Sequence, residues 1–185
     1  MSDIKTLIAN SAGRGVWIGL FPNLPNVALE EARLSYHDQS DGLAGLDDVK
    51  TLEEMHITLF HFGRNVRAGT IELIHAALWV FAESQLGDIT VSVEGGIRLP
   101  NHTGLLVAPA KILRARQTLL GMLSDRHVAP DDRFEGVPHM TLWKHKYKND
   151  VARIPRVQPF TVTFGGVTLV VGDHRVEMKF APSPF

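Results

Sequence analysis

The sequence predicts an α+β domain from three observations. Short apolar runs bounded by Gly or Pro have the length of strands, and Gly-rich breaks between several of them suit hairpin turns. Two longer segments space their apolar residues about 3.6 positions apart, as amphipathic helices do. Strands that adjoin in hairpins and are combined with two main helices are typical of the α+β class. At 185 residues the chain fits one domain, or two small lobes that share a core.

The first half of the chain contains two predicted strands and two predicted helices. Residues 15–21 are an apolar run closed by a proline and are predicted to form a strand. A short helix is predicted over 27–34, followed by a polar loop to residue 50 that overhangs a cleft, since long loops in compact domains are often functional. A strand is predicted over 55–62, and residues 67–85 carry apolar side chains at helical spacing.

The second half begins with residues 89–93, which alternate apolar and polar side chains as a strand does. Gly95-Gly96 is predicted to turn the chain toward a strand over 103–107, and a helix is predicted over 110–127. Gly165-Gly166 is predicted to be a hairpin turn near the end of the chain. The remaining predicted elements are four strands, over 138–145, 160–164, 167–171 and 176–180.

A four-residue pattern occurs twice, each time in a predicted strand. It reads His56-Ile-Thr-Leu in the first copy and His139-Met-Thr-Leu in the second, and the copies start 139 − 56 = 83 residues apart. A strand directs residues i and i+2 to the same face, so His56 projects with Thr58, and His139 with Thr141. Two imidazoles and two hydroxyls that converge on one cleft suit a phosphodiester: one imidazole takes a proton, the other gives one, and the hydroxyls hold the non-bridging oxygens.

Two aromatic residues follow the motifs at alternating positions. Phe60 is expected to continue the face of His56, and Trp143 the face of His139. An aromatic ring beside a phosphate site can stack on a nucleobase, which predicts that both residues bind substrate. The alternative is that both rings pack the floor of the cleft.

Other candidate residues are identified by their position in the sequence. Lys144 is predicted to contact phosphate because it lies close to the second motif, and His145 is predicted to support the site from outside it. Tyr36 lies in the predicted loop and is a candidate for a substrate lid, with a solvated loop as the alternative. His61 is expected to point away from the first motif, and Arg116 to belong to a solvated helix face.

Composition limits the partners and the location of the protein. The net charge of −1 provides no basic surface for long duplexes, which predicts a nucleotide or short oligonucleotide as substrate. No segment resembles a signal peptide or a membrane span, so we expect a cytoplasmic monomer that does not bind a membrane.

Composition also limits the chemistry. The chain has no cysteine, which excludes disulfides, thiolate zinc sites and a cysteine nucleophile. Nine histidines could supply metal ligands, but none has the helical spacing of a zinc protease, and the motif threonines are poor ligands. The sequence therefore predicts neither a metal nor a cofactor.

The segments His56-Ile-Thr-Leu59 and Pro138-His-Met-Thr-Leu142 resemble the paired motifs of the two-histidine (2H) phosphoesterase superfamily. Its best-known branch is the bacterial 2′-5′ RNA ligase and 2′,3′-cyclic phosphodiesterase group. The resemblance implies a bilobal fold of two antiparallel sheets that face a central cleft, with helices outside and one motif per lobe over residues 1–185. It also implies metal-independent phosphodiester chemistry in which His56 and His139 are catalytic and Thr58 and Thr141 bind phosphate.

One position departs from the pattern of that superfamily. Many members carry Arg or Lys two positions after the motif leucine, and here the second motif has Lys144 but the first has His61. The resemblance leaves the substrate open among 2′,3′-cyclic phosphates, 2′-5′-linked oligonucleotides and cyclic oligonucleotides, and it leaves ligation in the reverse direction open. A non-catalytic module that binds or sequesters nucleotides is the alternative. The paired histidines favour the enzyme, because binding alone does not need two proton-transfer groups.

Overall fold

The computed structural model describes residues 2–39, 49–131, 136–144 and 154–184. Its helices and strands confirm the α+β class that the sequence predicts. The helices are α1 (Ser2–Ala9), α2 (Val27–Gln39), α3 (Ala68–Ser84) and α4 (Pro109–Ser124). The strands are β1 (Gly15–Leu20), β2 (Ile57–Arg64), β3 (Ile89–Leu99), β4 (His102–Val107), β5 (His139–Lys144), β6 (Phe160–Phe164), β7 (Gly166–Val171) and β8 (His174–Lys179).

The strands pair in the order β6-β3-β4-β5-β2-β1-β7-β8, and every neighbouring pair is antiparallel. Two four-stranded halves meet at β2 and β5, where Ile57 and Met140 are the paired residues. This one pair continues the hydrogen bonding across the boundary, so the described strands form one sheet and not the two that the resemblance implies. Each half carries one motif on its innermost strand.

The helices bury the apolar faces that their spacing predicts. On α3 the buried side chains include Ile71, Ile74, Leu78 and Phe81. On α4 the buried positions are again three or four residues apart, and α3 and α4 pack against each other. Burying one such side chain stabilises the fold by about 1.5–3 kcal/mol, so these two helices supply much of the core on which the sheet rests. None of the described helices is both long and apolar enough to span a bilayer.

Two predicted turns are not turns. Strand β3 continues through Gly96 to Leu99 because it stays paired with β4 along this whole stretch. A Cβ at Gly96 would collide with the carbonyl oxygen of Pro155, so glycine is needed here for a close backbone approach. The Gly165-Gly166 pair likewise makes no hairpin, because β6 pairs with β3 while β7 pairs with β1.

Candidate functional site

The four motif residues surround the single pair that joins the two halves of the sheet. Ile57 and Met140 are fully buried, so the residues on either side of them point to the opposite face. In the antiparallel register, this arrangement sets Thr58 beside His139 and His56 beside Thr141. The structure therefore brings both histidines and both threonines together on one face, here called the catalytic face.

Strand β2 has a bulge at the leucine of the first motif. Thr58 lies opposite Gly19 of β1, whereas Phe60 lies opposite Ile18, so Leu59 has no partner of its own. A bulge interrupts the alternation of side chains along a strand. Phe60 consequently shares the face of the buried Ile18, and the prediction that it continues the face of His56 is wrong.

Strand β5 has the same bulge at the leucine of the second motif. Thr141 lies opposite Gly104 of β4, whereas Trp143 lies opposite Thr103, so Leu142 is passed over. Trp143 therefore projects away from Thr141 and is only 7% exposed. The prediction that Trp143 continues the face of His139 is wrong for the same physical reason.

The bulges turn two other side chains toward the catalytic face. His61 lies opposite Trp17 and shares its face with Thr58, so the expectation that it points away is wrong. Lys144 lies opposite His102 and shares its face with His139. Lys144 is exposed beside the site, and its contact with phosphate stays a prediction.

Each motif threonine lies beside a glycine on the neighbouring strand. Gly19 faces Thr58, and Gly104 faces Thr141. A Cβ on Gly19 would lie 2.6 Å from the ring of Trp17, and a Cβ on Gly104 would collide with the carbonyl oxygen of Met140. The lack of a Cβ therefore allows the ring of Trp17 to lie over Gly19 and allows the backbones of β4 and β5 to approach closely at Gly104.

Both motif histidines are oriented by the same kind of hydrogen bond. The Nδ1 atom of His56 is 2.7 Å from the carbonyl oxygen of Glu54, and that of His139 is 2.8 Å from the carbonyl oxygen of Val137. A carbonyl oxygen only accepts, so each Nδ1 carries a proton and donates it. The Nε2 atom of each neutral imidazole then presents its lone pair, which is the arrangement that a general base requires.

Aromatic rings surround His56. The ring of Trp17 is centred 4.3 Å away from the imidazole and that of Phe21 5.2 Å away. The guanidinium of Arg175 lies 4.4 Å above the ring of Phe21 and donates to the carbonyl oxygen of Glu53. The face of an aromatic ring attracts a cation, so Phe21 and Arg175 stabilise each other's position beside the site.

The electrostatic environment keeps His56 neutral. Burial, opposed by the hydrogen bond to Glu54, and then the charges of Lys50, Arg175 and Lys144 lower the pKa of His56 to about 4. Burial is also the largest cause that lowers the pKa of Lys50. Three cations within electrostatic reach of one imidazole form a surface that favours an anion such as a phosphodiester.

His139 is influenced by a cation on α4. Burial, and then the charge of Arg116, lower the pKa of His139. Arg116 donates to the carbonyl oxygens of Thr58, at 2.7 Å, and Gly136, at 3.0 Å. Arg116 thereby provides a hydrogen-bond donor for the Thr58 carbonyl, which lies where β2 and β5 separate. The prediction that Arg116 belongs to a solvated helix face is therefore wrong.

Of the two remaining candidate residues, Tyr36 does not face the motif histidines. Helix α2 extends to Gln39, so Tyr36 is helical and only 1% exposed, and the prediction that it lies in a loop is wrong. The hydroxyl of Thr103 donates to the Tyr36 oxygen at 2.8 Å, which anchors Tyr36 on the face opposite to the catalytic one. His145 lies outside the described residues.

A cavity of about 800 Å³ opens beside the aromatic rings. Phe21 and Arg175 form part of its wall, and Leu24, Thr168 and Lys179 are among the other lining residues. Apolar, cationic and acidic groups are combined in this wall, because Glu53, Asp88 and Glu177 also line it. In the parts of the chain that the structure describes, no group of three His, Asp or Glu side chains is placed to hold a metal ion.

Sequence reasoning missed five residues of this site: Trp17, Phe21, Lys50, His102 and Arg175. None lies within a motif strand, and each reaches the site through strand pairing or through the connection before β2. The one local signal was an aromatic residue two positions before a strand glycine, as in Trp17-Ile-Gly and His102-Thr-Gly. That signal has meaning only once the glycine is known to lie beside a motif threonine.

Solved structures with the same fold were found by comparison of the whole chain. A structure of Escherichia coli LigT complexed with 3′-AMP is 14% identical, with a TM-score of 0.57, and the match covers 90% of this chain and 96% of that one. A phosphoesterase is 13% identical, with a TM-score of 0.60 over 91% and 95% of the two chains. The PDE domain of MHV ns2 is 13% identical, with a TM-score of 0.52 over 82% and 99%.

Other structures of E. coli LigT that match hold NADP+, phosphate or ATP. No protein-family model and no curated protein matches the sequence. At these identities the likeness is one of fold, and it extends over most of the chain. The chain therefore has the 2H phosphoesterase fold that its two motifs imply.

Proposed function

We propose that this protein is a metal-independent phosphodiesterase that cleaves nucleotide phosphodiesters with His56 and His139 as paired acid and base. The observation that carries the proposal is the placement of both histidines and both motif threonines around the Ile57–Met140 pair. Two imidazoles with oriented Nε2 atoms on one face suit a reaction that takes one proton and gives another, because the neutral form of one accepts a proton and the protonated form of the other donates one.

The proposed reaction on a 2′,3′-cyclic phosphate needs one proton transfer on each side of phosphorus. One imidazole takes a proton from water as the water oxygen bonds to phosphorus. The bond from phosphorus to a ribose oxygen breaks, and the other histidine protonates that oxygen. The hydroxyls of Thr58 and Thr141 donate to the non-bridging oxygens, and Lys50, Arg175 and Lys144 offset the negative charge.

The nucleotide specificity is assigned to the aromatic side of the site. Trp17 and Phe21 offer ring faces next to His56, and the adjoining cavity of about 800 Å³ has room for a nucleoside. Stacking of a base on such a ring is worth about 1–3 kcal/mol. The nucleotide and phosphate complexes of LigT, which has the same fold, support this part of the proposal.

The alternative function is a module that binds or sequesters nucleotides without cleaving them. The cationic and aromatic groups around His56 would serve both functions. The symmetric Nδ1 hydrogen bonds favour the enzyme, because they fix the tautomer of two imidazoles at once. A binding site gains little from two oriented bases.

A substrate panel tests the proposal. The protein is incubated in EDTA with 2′,3′-cyclic nucleotides, 2′-5′-linked and 3′-5′-linked dinucleotides and cyclic dinucleotides, and products are identified by mass spectrometry. We expect hydrolysis of at least one class at an undiminished rate in EDTA. Binding of every class without turnover would support the alternative. Activity that is lost on chelation and restored by zinc or manganese would contradict metal independence.

A further inference from the structure

The two motif histidines have ring neighbours at equivalent positions of the two halves. Trp17 lies two residues before Gly19, and its ring is 4.3 Å from that of His56 at an angle of 32°. His102 lies two residues before Gly104, and its ring is 4.8 Å from that of His139 at an angle of 29°. One half of the site therefore places an indole beside its histidine, and the other half places a third imidazole there.

The third imidazole makes a contact that an indole cannot make. The Nε2 atoms of His102 and His139 are 2.8 Å apart. Because Nδ1 of His139 donates to the carbonyl of Val137, a neutral His139 has a lone pair on Nε2, and His102 must donate into it. An N–H···N bond between two imidazoles can pass its proton from one ring to the other, whereas indole only donates.

We propose, on the basis of the proposed function, that His102 is the proton-exchange partner of His139 and thereby makes His139 the general acid and His56 the general base. His102 acts through His139 and is a positioning residue. When the leaving ribose oxygen binds to Nε2 of His139, it takes the place of His102, because that nitrogen has one in-plane partner at a time.

Over a full turnover, the proton that His139 gives up has to be replaced. After the chemical step, His56 holds the proton from water, and His139 has lost its proton to the ribose oxygen. His56 returns its proton to solvent. A proton from solvent or buffer first adds to His102, whose ring is only half-buried. The resulting imidazolium passes its Nε2 proton to His139, and later proton exchange with solvent restores the Nε2–H tautomer of His102.

Charged groups around the pair limit it to one added proton. Lys144 faces His102 in the β4–β5 pairing, and Arg116 from α4 acts on His139. Across the β2–β5 boundary lies the neutral His56. Both cations oppose a second positive charge, so we expect the two rings to titrate as a coupled pair.

The first test needs no substrate. NMR titration follows the ring signals of His56 and His139 in the wild type, in His102→Gln and in the control His174→Gln, which changes an exposed histidine. We expect His102→Gln to shift the titration of His139 and leave that of His56 unchanged, and the control to change neither. An unchanged His139 titration in His102→Gln would overturn the proposal.

The second test measures turnover at low and high buffer concentration. We expect His102→Gln to lower kcat about tenfold in dilute buffer, less than the about 10²–10⁴-fold cost of losing an acid, with KM unchanged. Added imidazole should restore much of this loss. A wild-type kcat, or a loss that imidazole does not relieve, would overturn the catalytic role. If the wild type cleaves no substrate, the proposed function fails, and the NMR titration still decides whether the rings share a proton.

Discussion

Leu59 and Leu142 occupy equivalent positions in the two halves of the sheet, and each is passed over in the pairing of its strand. The bulge directs the residue after each leucine away from the catalytic face and the next residue toward it. Phe60 and Trp143 are thereby removed from the site, and His61 and Lys144 are added to the catalytic face. The bulges thus decide which side chains a substrate can meet.

The aromatic face of the site is predicted to be Phe21 and not Phe60. Phe21→Leu should raise KM for a nucleotide substrate by about 5- to 150-fold, the equivalent of about 1–3 kcal/mol of stacking. KM for a phosphodiester without a base should change little. Phe60→Leu is the matched control, because this ring lies on the opposite face. Equal effects of the two substitutions on nucleotide KM would contradict the assignment.

The glycine beside Thr141 is predicted to be required for packing. Gly104→Ala places a Cβ against the carbonyl oxygen of Met140, which should lower the free energy of unfolding by about 1–3 kcal/mol. Gly95→Ala is the control, since a Cβ there meets no atom within 4 Å among the described residues. Chemical denaturation measures both variants, and equal stability would show that β4 and β5 do not approach as closely as described.

Arg116 is predicted to support the site from behind the sheet. Arg116→Met removes the donor to the Thr58 carbonyl, which should cost about 1–3 kcal/mol of stability and displace Thr58 enough to lower kcat. Part of the stability cost is offset, because Nε of Arg116 is buried without a partner among the described residues. The exposed Arg114 provides the control, Arg114→Met. A kcat that is unchanged in both variants would contradict the supporting role.

The environment of His56 predicts how stability depends on pH. The pKa of His56 is about 4 in the folded protein, compared with 6.5 for an unperturbed histidine. Between these values the unfolded chain binds the proton more readily, so stability is full above pH 6.5 and falls as the pH decreases toward 4. Denaturation curves of the wild type and His56→Gln at several pH values measure the difference. The same slope in both proteins would contradict the low pKa.

The parts of the fold that the sequence predicts are those governed by local spacing. The apolar residues of α3 repeat at helical intervals, and Ile57 and Met140 alternate with the motif residues, so these elements and the shared face of His56 and Thr58 could be inferred. The extension of α2 from residue 34 to Gln39 could not be inferred from local spacing. Its polar end looks like a loop, and the residue that binds the buried Tyr36, Thr103, lies 67 residues away in the chain.

The parts of the site that could not be predicted depend on strand pairing. The consecutive apolar residues Leu59 and Phe60 break the alternation of residue types, but such a break does not by itself identify a bulge, and the face of Phe60 was inferred wrongly. His102 and Arg175 are distant in the chain from the motif histidines that they affect. Their roles become visible only when the register of β4 and β5 and the position of β8 are known.

The central claim is that His56 and His139 act as one acid–base pair, and single-site kinetics test it most directly. On the best substrate of the panel, in EDTA, His56→Gln and His139→Gln should each lower kcat by about 10²–10⁴-fold, and the double variant should lose little more, because the two groups act as a unit. His174→Gln is the control, and circular dichroism checks that each variant is folded. A kcat near that of the wild type in either folded single variant would contradict the account.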